Sequence, residues 1–436
     1  MAQFFDSPTG GVVMYQQIRQ VVLESGLWDN DRELSHGFIL SPSVYEVPRG
    51  KRNELEAIGV ALHECLAGLG RIAAIAFSPK LSYSSRWRTI AKVLYTGVPA
   101  IYRDIMLLNP GRVPSICKVD IMESDEGHYR IAEIDGHNKH GLGYSTLAAR
   151  IRRAIMPQAE AFPSVTKTLV EEIKRRGQTS LVLLYADQER FYLPEFCILR
   201  SELAGHGIEV VVVAESDVRI DSGRVIMGRD DRDHRLFVDL PFLYHNQELN
   251  SLLAARYQAG EIDFLLPPKP FLGSKAVLAL LRNDIGDQEL EAILKSQIRS
   301  ASLDLLRQYI PETYLVHKSA KENYWRGQCN SRRFVLKEAI SSGMKGTVFM
   351  DDSHFNSIMD RACDSYYRFI LQEEVTNRSQ SFDYFVDGGC LRQGQWFIRI
   401  TAHYAVRRLA DIIVTARKDK KVHGAPDCLM LGTIVV

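Results

Sequence analysis

The sequence predicts an α/β fold, shading into α+β, on three observations. Ser180-Leu-Val-Leu-Leu-Tyr-Ala186 and Ile208-Glu-Val-Val-Val-Val-Ala214 are short, almost wholly apolar runs. Between them, Leu193 to Gly207 reads as a helix closed by glycine, and this β-α-β order implies a parallel pair with a right-handed crossover. A second pair of runs, Ser115 to Met122 and His128 to Asp135, alternates around the polar turn Glu123-Ser-Asp-Glu-Gly127, as an antiparallel hairpin does. Gln16 to Leu27 and Lys51 to Leu69 place apolar residues three and four apart, the helical spacing.

The remaining elements follow in order. The stretch to about residue 110 is mainly helical in pattern, and a helix starts near Ser145. The prolines at 267, 268 and 270 mark the exit from the parallel unit. Helices are expected over 275–283 and 287–309, and a strand over Arg333 to Glu338. A small-residue loop from Ser341 to Gly346 and a strand over Thr347 to Met350 come next. A helix near 355–367 leads to a strand at Phe369 to Val375, and strands near 395–403 and 429–436 close the chain. Four segments result: a helical region over 1–110, a hairpin and helix over 111–177, a parallel α/β unit over 178–265, and a final lobe over 266–436.

With 436 residues, 46% hydrophobic and 25% charged, the composition is that of an ordinary globular chain. Lysine and arginine number 54 against 53 acidic residues, a balance that disfavours nucleic acid or a membrane surface as the main partner. No cationic start and apolar segment marks a secretion signal. Seven cysteines without a C-x-x-C pair read as reduced thiols in a cytoplasmic protein, which argues against structural zinc. A homodimer is only the commonest default.

Three constellations carry chemistry. Glu133 and Asp135 are two apart on one strand and share a face, with Asp120 across the turn. Carboxylates gathered in this way repel one another unless a cation neutralises them, and hard oxygen donors suit Mg²⁺. Lys118, two before Asp120, shares that face and could hold a phosphate. Lys337 ends an apolar strand ahead of the loop Ser341-Ser342-Gly343-Met344-Lys345-Gly346, whose backbone could approach phosphate closely. Gln372 and Glu373 end another apolar strand, where an adenine edge and a ribose could be met. Solvated hairpins and edge strands produce each of these patterns singly.

Their order adds to them. Lys275-Ala-Val-Leu-Ala-Leu-Leu, Tyr309-Ile-Pro-Glu-Thr-Tyr314, Val335-Leu-Lys-Glu-Ala and Ile370-Leu-Gln-Glu-Glu, preceded by Lys118-Val-Asp120 and Glu133-Ile-Asp135, resemble the circularly permuted, glutathionylspermidine-synthase-like branch of the ATP-grasp ligases. In the unpermuted families the acidic metal motif comes last. The similarity spans about residues 112 to 436, and the 178–265 segment resembles a pre-ATP-grasp parallel-sheet unit.

The resemblance implies a circularly permuted ATP-grasp fold and an ATP-dependent carboxylate–amine ligase working through an acylphosphate. ATP and Mg²⁺ are the implied cofactors, and a small carboxylate and an amine the implied substrates. It assigns Mg²⁺ to Asp120, Glu133 and Asp135, a phosphate contact to Lys118, and the transferred phosphate to Arg399. ATP falls to Lys275, Lys337, Ser341, Ser342, Gly343, Lys345, Gln372 and Glu373. The chain departs from the pattern where Asp135 replaces an asparagine and where Lys337-Glu338 replaces Lys-Pro. The distance between Lys275 and Lys337 implies an insertion.

Other readings are a degenerate nucleotide-binding scaffold, a metallohydrolase using His137, His140 and Asp135, and a thiol nucleophile at Cys390 after Gly388-Gly389.

Overall fold

The structure is a computed structural model describing residues 8–27, 37–78, 84–221, 224–228, 232–243, 245–317, 333–341 and 346–436. It is a mixed α/β protein with parallel and antiparallel sheets. The chain opens with α1 (Pro8–Glu24), β1 (Tyr45–Val47), α2 (Arg49–Ala76) and α3 (Ser85–Tyr95). By length and composition α2 could cross a membrane, but 67% of its most apolar window is buried inside the protein. At Gly68 on α2 the chain packs closely, since a Cβ there would lie 2.3 Å from Ile298 Cγ1.

The alternating runs form β2 (Ile116–Glu123) and β3 (Tyr129–Asp135), followed by α4 (Leu142–Ile155) and α5 (Val165–Arg175). The parallel unit contains β4 (Ser180–Tyr185), α6 (Leu193–Gly205) and β5 (Glu209–Ala214). A small hairpin follows, β6 (Val218–Asp221) with β7 (Arg224–Met227). Next come β8 (Leu236–Phe237), α7 (Gln247–Gln258) and β9 (Asp263–Phe264). The order β5-β4-β8-β9 is parallel throughout, as largely apolar strands flanked by helices favour.

Helices α8 (Ala276–Arg282), α9 (Gln288–Gln297) and α10 (Ser300–Tyr309) come next. The single helix expected over 287–309 is broken at Ile298 and Arg299, both extended. The break lets Ile298 bury itself against Gly68 of α2, so tertiary packing overrides helical continuity. The final lobe contains β10 (Thr313–His317), β11 (Phe334–Glu338), β12 (Thr347–Phe349), α11 (Phe355–Asp364) and β13 (Tyr366–Glu373). Its sheet runs β10-β13-β11-β12, antiparallel throughout.

The chain closes with β14 (Ser379–Val386), β15 (Cys390–Ala405), β16 (Arg408–Arg417), β17 (Cys428–Leu431) and β18 (Thr433–Val435). Beyond the strand expected near 395–403, the 16-residue β15 pairs with β14 along its first half and with β2 along its second. The strand expected at 429–436 is interrupted at Gly432, where a Cβ would lie 2.6 Å from the Ala148 carbonyl oxygen. The large sheet has the order β17-β16-β15-β2-β3, and β18 pairs in parallel with β1.

Candidate active site

The large sheet and the four-stranded sheet of the final lobe face each other across a cavity of about 1260 Å³. Register fixes what the large sheet presents to it. His403, Lys118 and Asp135 stand level on β15, β2 and β3, and Thr401, Asp120 and Glu133 form the next row. Because alternate residues share a face, the two rows project together, and all six side chains line the cavity.

The facing lobe brings two lysines to β3. Lys275, at the start of α8, places Nζ 2.9 Å from Glu133 Oε1 and donates to the Ser341 carbonyl at 3.0 Å. Lys337, on β11, donates to the Ala132 carbonyl at 3.1 Å and to Gln372 Oε1 at 2.6 Å. Gln372 donates in turn to Thr313 Oγ1 at 3.2 Å. Ser341, Gln372 and Glu373 line the same cavity. Ten of the residues singled out in the sequence therefore meet in one space: Lys118, Asp120, Glu133, Asp135, Lys275, Lys337, Ser341, Gln372, Glu373 and Arg399. Ser342, Gly343 and Lys345 lie outside the described residues. Helices α9 and α10 lie between the two lysines along the chain.

Each acidic group already has a cationic or hydroxyl neighbour. Asp120 Oδ2 lies 3.3 Å from Arg399 Nη1, and its Oδ1 accepts from Thr401 Oγ1 at 2.6 Å. Asp135 Oδ2 lies 3.0 Å from Lys118 Nζ, and its Oδ1 accepts the His137 and Asn138 amides. Burial raises the Glu133 carboxyl above its ordinary range despite Lys275. Burial pushes the Asp135 carboxyl the same way, but Lys118 outweighs it and the net shift is downward. Burial brings the Lys337 ammonium down to about 8. All three carboxylates are hard oxygen donors on one wall, a donor set that suits Mg²⁺ and not a soft metal.

Behind this wall lies a buried network that the sequence did not reveal. Lys139, 2% exposed, sits between Glu189 at 3.0 Å and Asp239 at 3.2 Å. Burial opposes ionisation of Glu189, but Lys139 and His140 bring it down to about 2, while desolvation leaves Asp239 raised to about 6. His140 Nε2 is 2.9 Å from Glu189, and its ring stacks on Tyr192 at 3.8 Å. Glu195 Oε1 accepts the amides of Gly141 and Gly143, and burial raises its carboxyl to about 7. These partners come from the parallel unit, so no local pattern around residue 139 announces them. The network holds the 136–141 loop in place beside Asp135.

This arrangement bears on the other chemical readings. His140 is committed to Glu189, which argues against His137, His140 and Asp135 closing around a transition metal. Cys390 is exposed at the β14–β15 turn, with no place in the cavity lining. Asp187, Glu215 and His245 bring ligand atoms within 4.8 Å of one another, but the two Glu215 oxygens accept the Asp187 and His245 amides, so this trio pins loops together.

No family model matches the chain, and no curated protein matches it. Among solved structures, a Methylobacillus flagellatus protein described as a gamma-glutamylcysteine synthetase overlaps 78% of this chain and 85% of its own, at 14% identity and a TM-score of 0.37. D-alanyl-alanine synthetase A from Vibrio cholerae overlaps 59% of this chain and 87% of its own, at 10% identity and a TM-score of 0.31. Overlaps this weak carry no weight for fold or function, which leaves the chemistry of the cavity to speak for itself.

Proposed function

We propose that the chain is an ATP-dependent carboxylate–amine ligase of the circularly permuted ATP-grasp kind. The observation carrying this reading is the opposition, within one cavity, of Asp120, Glu133 and Asp135 on one wall to Lys275 and Lys337 on the other. A triphosphate bound with a divalent cation presents the complementary charges. Asp120, Glu133 and Asp135 would hold Mg²⁺, which when bound screens charge on the phosphate oxygens.

Lys275 and Lys337 would bind the phosphates as point charges. Gln372 and Glu373, at the end of β13, would meet the base and ribose. Lys118 and Arg399 flank the carboxylate trio and would steady the transferred phosphoryl group. A substrate carboxylate oxygen forms a bond to the γ-phosphorus as the bond to the β-phosphate oxygen breaks, releasing ADP. The amine nitrogen then attacks the acyl carbon, phosphate leaves with the bonding electrons, and the amine gives up its proton. Positioning supplies much of the acceleration, so no serine or cysteine nucleophile is needed.

Calorimetric titration of MgATP into wild type and Glu133→Ala/Asp135→Ala tests the nucleotide site. Wild-type binding that weakens at least tenfold, or loses its Mg²⁺ dependence, in the variant is the expected result. Equal binding by both would move the metal site elsewhere. Binding without ADP release or hydroxylamine-trapped acylphosphate from any carboxylate would favour the degenerate scaffold.

A further inference from the structure

Beyond the carboxylate trio, the large sheet changes character. Register places Arg399 beside Thr415, and Thr415 beside Met430, while Thr401 pairs with Ile413. Alternation carries Ile413, Thr415, Met430 and Cys428 onto the face that bears Arg399, and Phe38 joins them at the cavity wall. Ile413 is 6% exposed, Met430 7%, Cys428 3% and Phe38 3%. All four belong to one apolar cluster separate from the main core. Charged groups line the β3 side of the cavity, whereas this corner offers a branched aliphatic, a thioether, a thiol and a phenyl ring.

Arg399 stands at the border. Its Nη1 is turned to Asp120, whereas its Nε is buried and has no hydrogen-bond partner among the described residues. A desolvated guanidinium donor without an acceptor is costly, and a carboxylate is the acceptor its planar edge matches best. An acid seated there has Thr415 and Met430 as its next neighbours, so its substituent falls on the apolar wall.

We propose that Arg399 and the wall formed by Ile413, Met430, Cys428 and Phe38 are the donor-acid subsite, selecting a monocarboxylate with an apolar group close to its carboxyl carbon. The site rests on the ligase reading for its use in catalysis, but not for its binding chemistry. A second carboxylate or an ammonium on the substituent would lose its hydration against Ile413 and Met430 without gaining a partner. Apolar contacts discriminate by roughly 10- to 200-fold per methylene, so such a wall also reads substituent size.

The test pairs equilibrium binding with turnover. A panel of apolar (isobutyrate, isovalerate, 3-phenylpropionate), small polar (glycolate, glycerate) and acidic (malonate, succinate) carboxylates, all without an ammonium group, is titrated calorimetrically without ATP. The same panel is then assayed for hydroxamate formation with MgATP and hydroxylamine. The expected result is that apolar members bind at least tenfold tighter than acidic ones. Met430→Ala should lower affinity for the preferred member roughly tenfold while favouring the next larger one. Ile413→Val, which removes a single methyl, serves if Met430→Ala does not fold. Selective binding that responds to these variants, without any hydroxamate, would uphold the subsite and sink the ligase reading. Hydroxamate formed equally well from acidic and apolar members would do the reverse. Failure of every panel member to bind would overturn the subsite, whatever MgATP does.

Discussion

Lys275 Nζ lies 2.9 Å from Glu133 Oε1, so a lysine stands against one of the three carboxylates that would hold Mg²⁺. The pair joins α8 to β3 across the cavity and neutralises charge that a cation and a triphosphate would otherwise divide between them.

Lys275→Met should therefore destabilise the ligand-free protein. Breaking a fully buried pair costs about 3–5 kcal/mol. The Glu133 side chain retains 30% exposure, which lowers the expectation to about 1–3 kcal/mol. Added Mg²⁺ should raise the thermal midpoint of the variant more than that of wild type, as scanning fluorimetry would show. An identical Mg²⁺ response in both proteins would mean that Glu133 is not among the cation's neighbours.

Two glycines occupy the second position of their helices and should respond with opposite signs. At Gly143 of α4 a Cβ would lie 2.2 Å from the Glu195 carbonyl oxygen, whereas at Gly50 of α2 nothing lies within 4 Å. Gly143→Ala should cost about 1–3 kcal/mol through overpacking against α6, and should disturb the loop that Glu195 anchors. Gly50→Ala should stabilise by about 0.5 kcal/mol through backbone entropy and helix propensity. Denaturation midpoints of the two variants decide the matter, and equal shifts would contradict the close α4–α6 contact.

Asp411 is buried, accepts from Ser145 Oγ at 2.8 Å, and has its carboxyl pushed up by desolvation to about 7. Its folded value lies above its unfolded one, so the folded state binds the proton more tightly. The stability this group contributes is complete below about pH 4 and is lost as pH rises through about 7. Asp411→Asn keeps a neutral hydrogen-bonding group in place. It should be more stable than wild type at pH 8 by about 1–4 kcal/mol, with the difference largely gone at pH 5. Unfolding of both proteins at the two pH values tests this, and a difference that does not change with pH would exclude a charged Asp411 as its source.

Legibility of the fold followed the locality of the signal. The β2–β3 hairpin was readable because alternation and a polar turn lie within 21 residues of sequence, and the β4–α6–β5 unit because its strands are uniformly apolar. The break at Ile298 was not, since its cause is Gly68 on a distant helix. Strands β10, β14 and β16 were also missed. In β16, Leu409 to Ala416 are buried without interruption, so side-chain alternation is silent there. At the site, the carboxylates stood out because Glu133 and Asp135, two apart on one strand, share a face, and Lys337 and Glu373 because charge ends an otherwise apolar run. Thr401 and the partners of Lys139 did not, because Asp239, Glu189 and Asp120 come to them only through tertiary structure.

The pairing of β2 with β15 also has a consequence for the order of synthesis. Thr401 and Asp120, hydrogen-bonded across these strands, are 281 positions apart. At 5–20 residues per second, the inner edge of β2 waits roughly 15 to 60 s on the ribosome before its partner emerges. Throughout that time the β2–β3 hairpin carries an open edge of unpaired backbone groups, the feature most prone to templating aggregation. The nascent chain thus depends on shielding that edge until its last strands arrive.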